Sequence, residues 1–287
     1  MAETIGLTTR SGLTFTAYVA GPTGGPLVLL LHGFPESRHS WREALPVLAQ
    51  AGYRAVAPDQ RGYSPGARPD PADLSNYAFD KLVNDALEIA AAAGSEGKRF
   101  HLVGHDWGGQ VSWGVANAHP ERLASLTVLS RPHPLSFRRA LQDPNGDQKH
   151  RSRHHGKFLE PETGRLLTED NARRLREGLF GQDVSKAAIE DHVAVLGSRE
   201  AIEAALAWYR SNKGLSGDFG PTRVPTLYLW GDADATVGPD AAKGTGDFVT
   251  ASYAMEVLPG VGHFVMDQAA AKATELMLAH IKRHPAS

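Results

Sequence analysis

An aspartate occupies the centre of the glycine-flanked stretch VGHDWGG, which covers Val103–Gly109. The segment RFHLVGHD predicts a buried strand and Gly108–His119 predicts a helix, so Asp106 is expected at the carboxyl end of a strand. A carboxylate in that place can attack a saturated carbon and form an ester, which water then cleaves at the ester carbonyl. Because the carboxylate is ionised at neutral pH, the first step needs no base. The alternative is that Asp106 only caps the helix.

Two residues that could help water to cleave such an ester follow strands near the end of the chain. Asp234 comes after the strand VPTLYLW, and His263 comes after the strand YAMEVLP. A histidine that is oriented by a carboxylate is a suitable general base for water. We therefore predict that His263 is the base and that Asp234 orients it. Asp232 is the alternative acid, but Asp234 lies further from its strand and could reach the histidine.

The elements that must position these residues alternate between strands and helices up to residue 131. An edge strand is predicted at Gly12–Gly21 from its alternation of apolar and polar residues. Buried strands are predicted at residues 26–34, 53–62, 99–106 and 123–130, and helices at residues 40–52, 77–93 and 108–119. This alternation favours a parallel sheet that is covered by helices on both faces.

The alternation breaks between residues 132 and 221, where the sequence contains no good buried strand. This segment is rich in Arg, His, Glu and Ala, with helical patterns at Asn171–Gly178 and Ala201–Arg210. Strands return at Val224–Asp234 and Tyr253–His263, and a helix closes the chain. We therefore predict an α/β core at residues 1–131, a helical cap at 132–221 and a second part of the core at 222–287.

The composition of the 287 residues narrows the functional classes. The net charge is −2 and the pI is about 6.7, which favours neither a nucleic-acid partner nor a membrane surface. With no cysteine, the chain has no disulfide, thiolate metal site or cysteine nucleophile. The histidines show neither HxH nor HExxH spacing, so we expect no metal. We find no secretory signal, and the longest apolar run, Leu27–Leu31, is too short to span a bilayer. The expectation is a cytoplasmic monomer or homodimer.

The motifs HGFPES, DQRGYSPGARP, GHDWGG, LYLWGDAD and GVGHF resemble the α/β-hydrolase superfamily over nearly the whole chain. The GHDWGG turn, with Asp106 at its centre, resembles the corresponding turn of the epoxide hydrolase and haloalkane dehalogenase branch. Within this branch the chain most resembles bacterial soluble epoxide hydrolases. The resemblance implies a mostly parallel, doubly wound sheet with a helical cap inserted after the sixth strand. It also implies cofactor-independent conversion of a small epoxide and water to a vicinal diol, through an alkyl ester on Asp106.

In this architecture the loop after the first buried strand, here HGFP at residues 32–35, supplies a donor for the oxyanion. The backbone N–H groups of Phe34 and Trp107 are therefore expected to form the oxyanion hole. The alternative is that the segment is a simple Gly-Pro turn, with His32 holding the loop by hydrogen bonds. We further predict that five residues line the substrate pocket: His32, Pro35, Trp41, His155 and Trp208.

The cap segment LAWYRSN resembles the epoxide hydrolase segment whose tyrosine polarises the epoxide oxygen, and this role is assigned to Tyr209. The alternative is an aromatic residue of the cap core. Epoxide hydrolases usually place a second cap tyrosine opposite, but this chain has no tyrosine between Tyr77 and Tyr209. By position, the counterpart falls in QKHRSRHHGKF, where we choose His154, with His155 next.

A haloalkane or haloacetate dehalogenase with the same nucleophile is the alternative function, since fluoroacetate dehalogenases also pair a cap histidine with a tyrosine. Those enzymes carry arginines where this chain has Trp107 and Gln110. Haloalkane dehalogenases usually have asparagine in place of Phe34. These departures favour the epoxide. A more remote alternative is a protein that binds ligands without catalysis.

Overall fold

The structure is a computed structural model that describes residues 2–180, 184–213 and 218–286. Its centre is an eight-stranded sheet with the strand order β1-β2-β4-β3-β5-β6-β7-β8. The strands are β1 Glu3–Thr8, β2 Thr14–Ala20, β3 Leu27–Leu31, β4 Arg54–Pro58, β5 Phe100–His105, β6 Leu123–Leu129, β7 Thr226–Gly231 and β8 Tyr253–Leu258. Strand β2 runs antiparallel to both neighbours, and all other neighbouring pairs are parallel. The predicted mostly parallel α/β fold is confirmed.

The central strands are buried because helices cover both faces of the sheet. Successive residues of β3 point to opposite faces and join different hydrophobic clusters. Leu29 belongs to the cluster on the side of α2 Phe79–Ala90 and α3 Trp107–Ala118. Leu30 belongs to the cluster on the side of α1 Ala44–Gln50 and α12 Ala270–Arg283. This double cover explains why β3 is apolar at every position rather than at alternate ones.

A strand forms within the predicted range Gly12–Gly21, but the prediction that it lies at the edge of the sheet is wrong. Strand β2, which forms there, pairs with β1 on one side and with β4 on the other. The true edge is β1, where only Leu7 is buried. Because β1 has only Ile5 and Leu7 as apolar side chains, its pattern carried too little apolar signal to predict a strand.

Helices fill the described part of the chain between β6 and β7, which contains no strand. They are α4 Pro134–Gln142, α5 Gln148–Arg151, α6 His154–Phe158, α7 Thr163–Arg173, α8 Lys186–Leu196 and α9 Arg199–Ser211. The helix predicted at Asn171–Gly178 is wrong at its start. Residues 170–172 have positive φ angles, so they interrupt α7 just before its end. The boundaries of the cap at 132 and 221 stay a prediction, and residues 181–183 and 214–217 of that range lie outside the described residues.

Two short helices, α10 Pro239–Lys243 and α11 Val265–Gln268, follow β7 and β8. The loops in front of them leave the carboxyl ends of these strands, which meet the ends of β3, β5 and β6 at the same edge of the sheet. None of the helices within the described ranges is long and apolar enough to cross a membrane.

Candidate active site

Asp106 forms the sharp turn between β5 and α3. Its backbone has φ 48° and ψ −116°, a conformation that costs a non-glycine residue on the order of 1–3 kcal/mol. Two glycines allow the close packing that holds this turn: a Cβ atom on Gly33 would overlap the Asp106 side chain, and one on Gly108 would overlap the backbone of Leu31. The side chain of Asp106 makes no helix-capping hydrogen bond, so the capping alternative has no support in the geometry.

The Asp106 carboxylate lies against the two backbone donors that the sequence suggested. Phe34 donates its N–H to Oδ1 over 3.0 Å, and the nearby backbone N–H of Trp107 also favours the charged carboxylate. Burial opposes ionisation, but the neighbouring histidines His263 and His105 and these donors together lower the pKa of Asp106. One carboxylate oxygen is therefore already held where an oxyanion would develop.

His263 lies between two carboxylates. Its Nδ1 is 3.2 Å from Oδ2 of Asp234, and its Nε2 is 3.8 Å from Oδ2 of Asp106. Burial disfavours the imidazolium, but the charge and hydrogen bond of Asp234 raise the pKa of His263. A proton on Nδ1 that is donated to Asp234 leaves the Nε2 lone pair on the side of Asp106.

Asp234 is almost fully buried and accepts several hydrogen bonds besides that of His263. Ser130 Oγ donates to Oδ2 over 2.6 Å, while the N–H and hydroxyl of Thr236 donate to Oδ1 over 2.7 and 2.8 Å. Although burial opposes it, the charge of His263 and these bonds lower the pKa of Asp234. The alternative acid, Asp232, is exposed and instead accepts the N–H of Gly260.

Two supporting residues were missed by the sequence reasoning. Ser130 follows β6 with a φ of 62°, and this left-handed conformation places its hydroxyl on Asp234. His105 bonds Glu36 through Nδ1 over 2.5 Å and the backbone carbonyl of His263 through Nε2 over 2.8 Å. Burial of His105 is outweighed by the Glu36 charge, which raises its pKa, so the ring is protonated and donates both bonds. His105 thereby fixes the backbone of His263.

Two adjoining cavities, of about 140 and 220 Å³, open onto Asp106. Their shared walls include Asp106, Arg131, Phe137, His155 and Tyr209. The second cavity is also lined by His263 and by the predicted pocket residue Pro35. A small substrate in either cavity would therefore reach the carboxylate.

Tyr209 of α9 closes the site from the side of the cap. Its ring centroid lies 5.1 Å from that of Trp107 and 5.7 Å from that of Phe34. Burial, with the Asp106 charge nearby, raises the pKa of Tyr209 well above its ordinary value, so the phenol keeps its proton. It can therefore act as a hydrogen-bond donor inside the cavity.

The two adjacent histidines of α6 differ in what their rings can donate. His154 Nδ1 lies 2.9 Å from the carbonyl oxygen of Arg151, which can only accept, so Nδ1 carries the proton. Burial lowers the pKa of His154, and its neutral ring leaves Nε2 as an acceptor. His155 lines both cavities, with its ring centroid 5.7 Å from that of Tyr209. His154 also lines the second cavity, so its choice from the sequence stays a prediction, although the bond of its Nδ1 to the Arg151 carbonyl favours His155 as the donor.

Three of the predicted pocket residues do not line either cavity. Trp41 is fully buried in the hydrophobic cluster on the side of the sheet that α1 and α12 cover. Trp208 packs behind Trp107 and donates its indole N–H to the carbonyl of Arg61. His32 is fully buried and holds the loop through the carbonyl of Gly33 and the N–H of Gln60. Composition alone could not separate these core side chains from pocket walls.

One group of possible metal ligands occurs among the described residues, away from Asp106. It comprises Glu36, His192 and Asp267, whose ligand atoms lie within 4.8 Å of one another. Each already has a partner in the protein: Glu36 bonds His105, His192 bonds Ser37, and Asp267 pairs with Arg42. Nε2 of His192 and Oδ2 of Asp267 are buried 3.8 Å from each other without a hydrogen bond, and the expectation of a metal-free protein stays a prediction.

Comparisons with known proteins agree with this arrangement. A family model described as alpha/beta hydrolase fold matches residues 26–270. Epoxide hydrolase 3 of Xenopus tropicalis is 31% identical over 95% of this chain and 76% of that protein. Epoxide hydrolase A of Mycobacterium tuberculosis is 30% identical over 96% of this chain and 97% of that protein. A solved structure from work on novel epoxide hydrolases in metagenomes from hot environments has 25% identity and a TM-score of 0.86 over 98% of each chain.

Proposed function

This chain belongs to the α/β hydrolase family, and we propose that it opens epoxides to vicinal diols through a covalent ester on Asp106. The observation that carries the proposal is the placement of the two Asp106 oxygens. Oδ1 accepts the N–H of Phe34, whereas Oδ2 lies on the side of His263. One oxygen is thus positioned to become the ester carbonyl, and the other is free to attack carbon.

In the first step, Oδ2 of Asp106 attacks an epoxide carbon from behind and the carbon–oxygen bond of the ring breaks. The released alkoxide needs a donor, and the protonated phenol of Tyr209 supplies it. His155 is the second donor, because burial and the neighbouring His154 lower its pKa to about 3 and its neutral ring keeps one N–H. The product of this step is an ester between the substrate and Oδ2.

In the second step, Nε2 of His263 takes a proton from water, and the resulting hydroxide attacks Cγ of Asp106. Negative charge then develops on Oδ1, where the N–H groups of Phe34 and Trp107 stabilise it. The Cγ–Oδ2 bond breaks, and the diol leaves with Oδ2 after taking the proton from His263. The regenerated carboxylate keeps Oδ1 and gains one oxygen from water, and the second proton of that water replaces the one that Tyr209 gave to the alkoxide.

The halide alternative finds less support in the same geometry. The backbone N–H of Phe34 is already used by Asp106, and its side chain is a phenyl ring with no donor. A leaving halide is stabilised by weak N–H or ring-edge donors, whereas Tyr209 offers a strong O–H donor suited to an alkoxide. The site therefore matches an opening epoxide better than a carbon–halogen bond.

A single turnover of styrene oxide by excess enzyme in ¹⁸O-water tests the proposal. We expect an unlabelled diol and one ¹⁸O in the peptide that contains Asp106. A labelled diol with an unlabelled peptide would show direct attack by water and refute the ester. No diol from any epoxide, with halide released from alkyl halides, would support the dehalogenase instead. Binding without any product would support a non-catalytic protein.

A further inference from the structure

A buried arginine forms part of the cavity wall and is not used by the proposed mechanism. Arg131 is only 6% exposed and lines both cavities beside Asp106. Its Nε donates to the side-chain oxygen of Gln110 over 2.9 Å, and its guanidinium lies 4.2 Å from the ring centroid of Phe137. Its Nη2 is buried and has no hydrogen-bond partner among the described residues.

The backbone around Arg131 is held firmly in place. The indole of Trp113 donates to the carbonyl of Arg131 over 3.1 Å, and the phenol of Tyr228 donates to that of Ser130 over 2.6 Å. Gly109 gives the side chain room, because a Cβ atom there would come within 2.8 Å of Cβ of Arg131. The same turn that directs Ser130 to the catalytic acid therefore directs the arginine to the cavity.

The charge of Arg131 has no ion-pair partner among the described residues. Burial lowers its pKa to about 10, so the side chain stays protonated at neutral pH. No aspartate or glutamate within the described ranges forms an ion pair with it, although the nearby Asp106 charge favours its protonated form. Esterification would neutralise Asp106 and remove even this compensation. An unpaired buried cation is costly, unless a ligand supplies the missing charge.

The walls of the smaller cavity have the charge balance of an anion site. Besides Arg131 they include Lys213, which is exposed, while Asp106 is the one acidic residue among the described residues that line it. At about 140 Å³ the space suits a compact anionic group. A carboxylate matches the planar donor face of a guanidinium.

We propose that the natural epoxide carries a carboxylate, which binds the guanidinium of Arg131 where it lines the cavity, while Asp106 attacks the epoxide. This substrate class rests on the proposed function, since it concerns the same cavity. A charge-assisted hydrogen bond inside the protein contributes enough to change affinity by roughly 10- to 100-fold. Wild-type enzyme should therefore prefer an acid over the matching neutral amide by at least tenfold.

The first test compares kcat/KM for 3-phenylglycidate with that for 3-phenylglycidamide. We expect the acid to be preferred by at least tenfold in the wild type, the preference to disappear in Arg131→Met, and part of it to remain in Arg131→Lys. The ratio is insensitive to the fraction of folded enzyme. Arg139→Met is the matched control, because this exposed arginine pairs with Asp247 on the surface. Equal kcat/KM for both substrates in the wild type, or an unchanged ratio in Arg131→Met, would overturn the proposal.

The second test measures binding of unreactive analogues by calorimetry, so that it does not depend on turnover. We expect 3-phenylpropanoate to bind at least tenfold more tightly than 3-phenylpropanamide, and Arg131→Met to abolish the difference. If the acid binds selectively but no epoxide is hydrolysed, the proposed function fails and the anion site stands. If epoxides are hydrolysed without preference for the acid in either test, the anion site fails and the function stands.

The Tm of Arg131→Met distinguishes substrate binding from a purely structural role for Arg131, which would predict a lower Tm. Because its Nη2 is buried without a partner, we expect Arg131→Met to leave the Tm equal to or above that of the wild type. A large loss of Tm, with both substrates affected equally, would show that the arginine serves packing against Phe137 and Gln110 and would overturn the substrate assignment.

Discussion

Replacing Asp234 by asparagine should separate the two chemical steps. Three donors, from the backbone and hydroxyl of Thr236 and the N–H of Val237, hold Oδ1, so the asparagine oxygen would keep that place. The amide nitrogen would then face Nδ1 of His263 and donate to it. This places the ring proton on Nε2, and His263 can no longer accept a proton from water.

The size of the effect follows from the role of each group. A positioned general base contributes about 10²- to 10⁴-fold, so hydrolysis of the ester should slow by roughly 1,000-fold, or about 4 kcal/mol. Attack by Asp106 uses no base, and its rate should change by only a few fold. The variant should therefore accumulate the ester in an amount equal to the enzyme.

Stopped-flow fluorescence can follow both phases, because Trp107 is adjacent to the nucleophile in the chain. Intact-protein mass should show one covalently bound epoxide per chain in Asp234→Asn and little in the wild type. Asp232→Asn is the matched control, since this exposed residue bonds Gly260 rather than His263. The reasoning would be refuted if Asp234→Asn slowed alkylation as much as hydrolysis, or if Asp232→Asn trapped the ester instead.

Three further predictions concern donors, catalytic pH and stability. Tyr209→Phe should slow ester formation by roughly 100-fold, because one preorganised donor is lost, and His155 should support the residual activity. Unchanged single-turnover alkylation of Asp106 would contradict the role assigned to Tyr209. The pKa of His263 is raised in the free enzyme by Asp234 and also by the charge of Asp106. Because the ester removes the Asp106 charge, kcat should fall with acidity at an apparent pKa below the value that NMR titration gives for the free enzyme. An equal or higher apparent pKa would argue against the ester. Glu36 raises the pKa of His105 to about 9, so their pairing contributes stability that is present at about pH 6 and is lost as the pH rises from about 6.5 through 9. Urea unfolding should show this decline in the wild type, and a slope that persists in Glu36→Gln would refute the assignment.

The core of the site was predictable because of how parallel strands are arranged. The carboxyl ends of β5, β7 and β8 meet at one edge of the sheet, so residues just after them converge although 157 positions separate Asp106 from His263. Turn glycines marked these strand ends in the sequence, and the family resemblance is confirmed by the comparisons. Sequence order and strand period were therefore sufficient for the fold class and for the three central side chains.

The cap side of the cavity was not predictable in the same way. Neighbouring residues of a helix point about 100° apart, so the choice between His154 and His155 depends on the rotation of α6 over the sheet. Trp41 and Trp208 are large and apolar, and such residues serve a core as readily as a pocket. Arg131 gave no signal, because the pattern of apolar residues does not reveal whether a buried cation has a partner.

The first step of the proposed reaction prepares the second. While Asp106 is ionised, its charge helps to hold His263 in the protonated form, which cannot accept a proton from water. Once Asp106 is an ester, that charge is gone and the pKa of His263 falls. The neutral form of the ring, which can take a proton from water, is therefore favoured at the point where the ester needs a base. Oδ1 has meanwhile stayed on the N–H of Phe34, so the ester carbonyl forms with its oxygen already in the oxyanion hole.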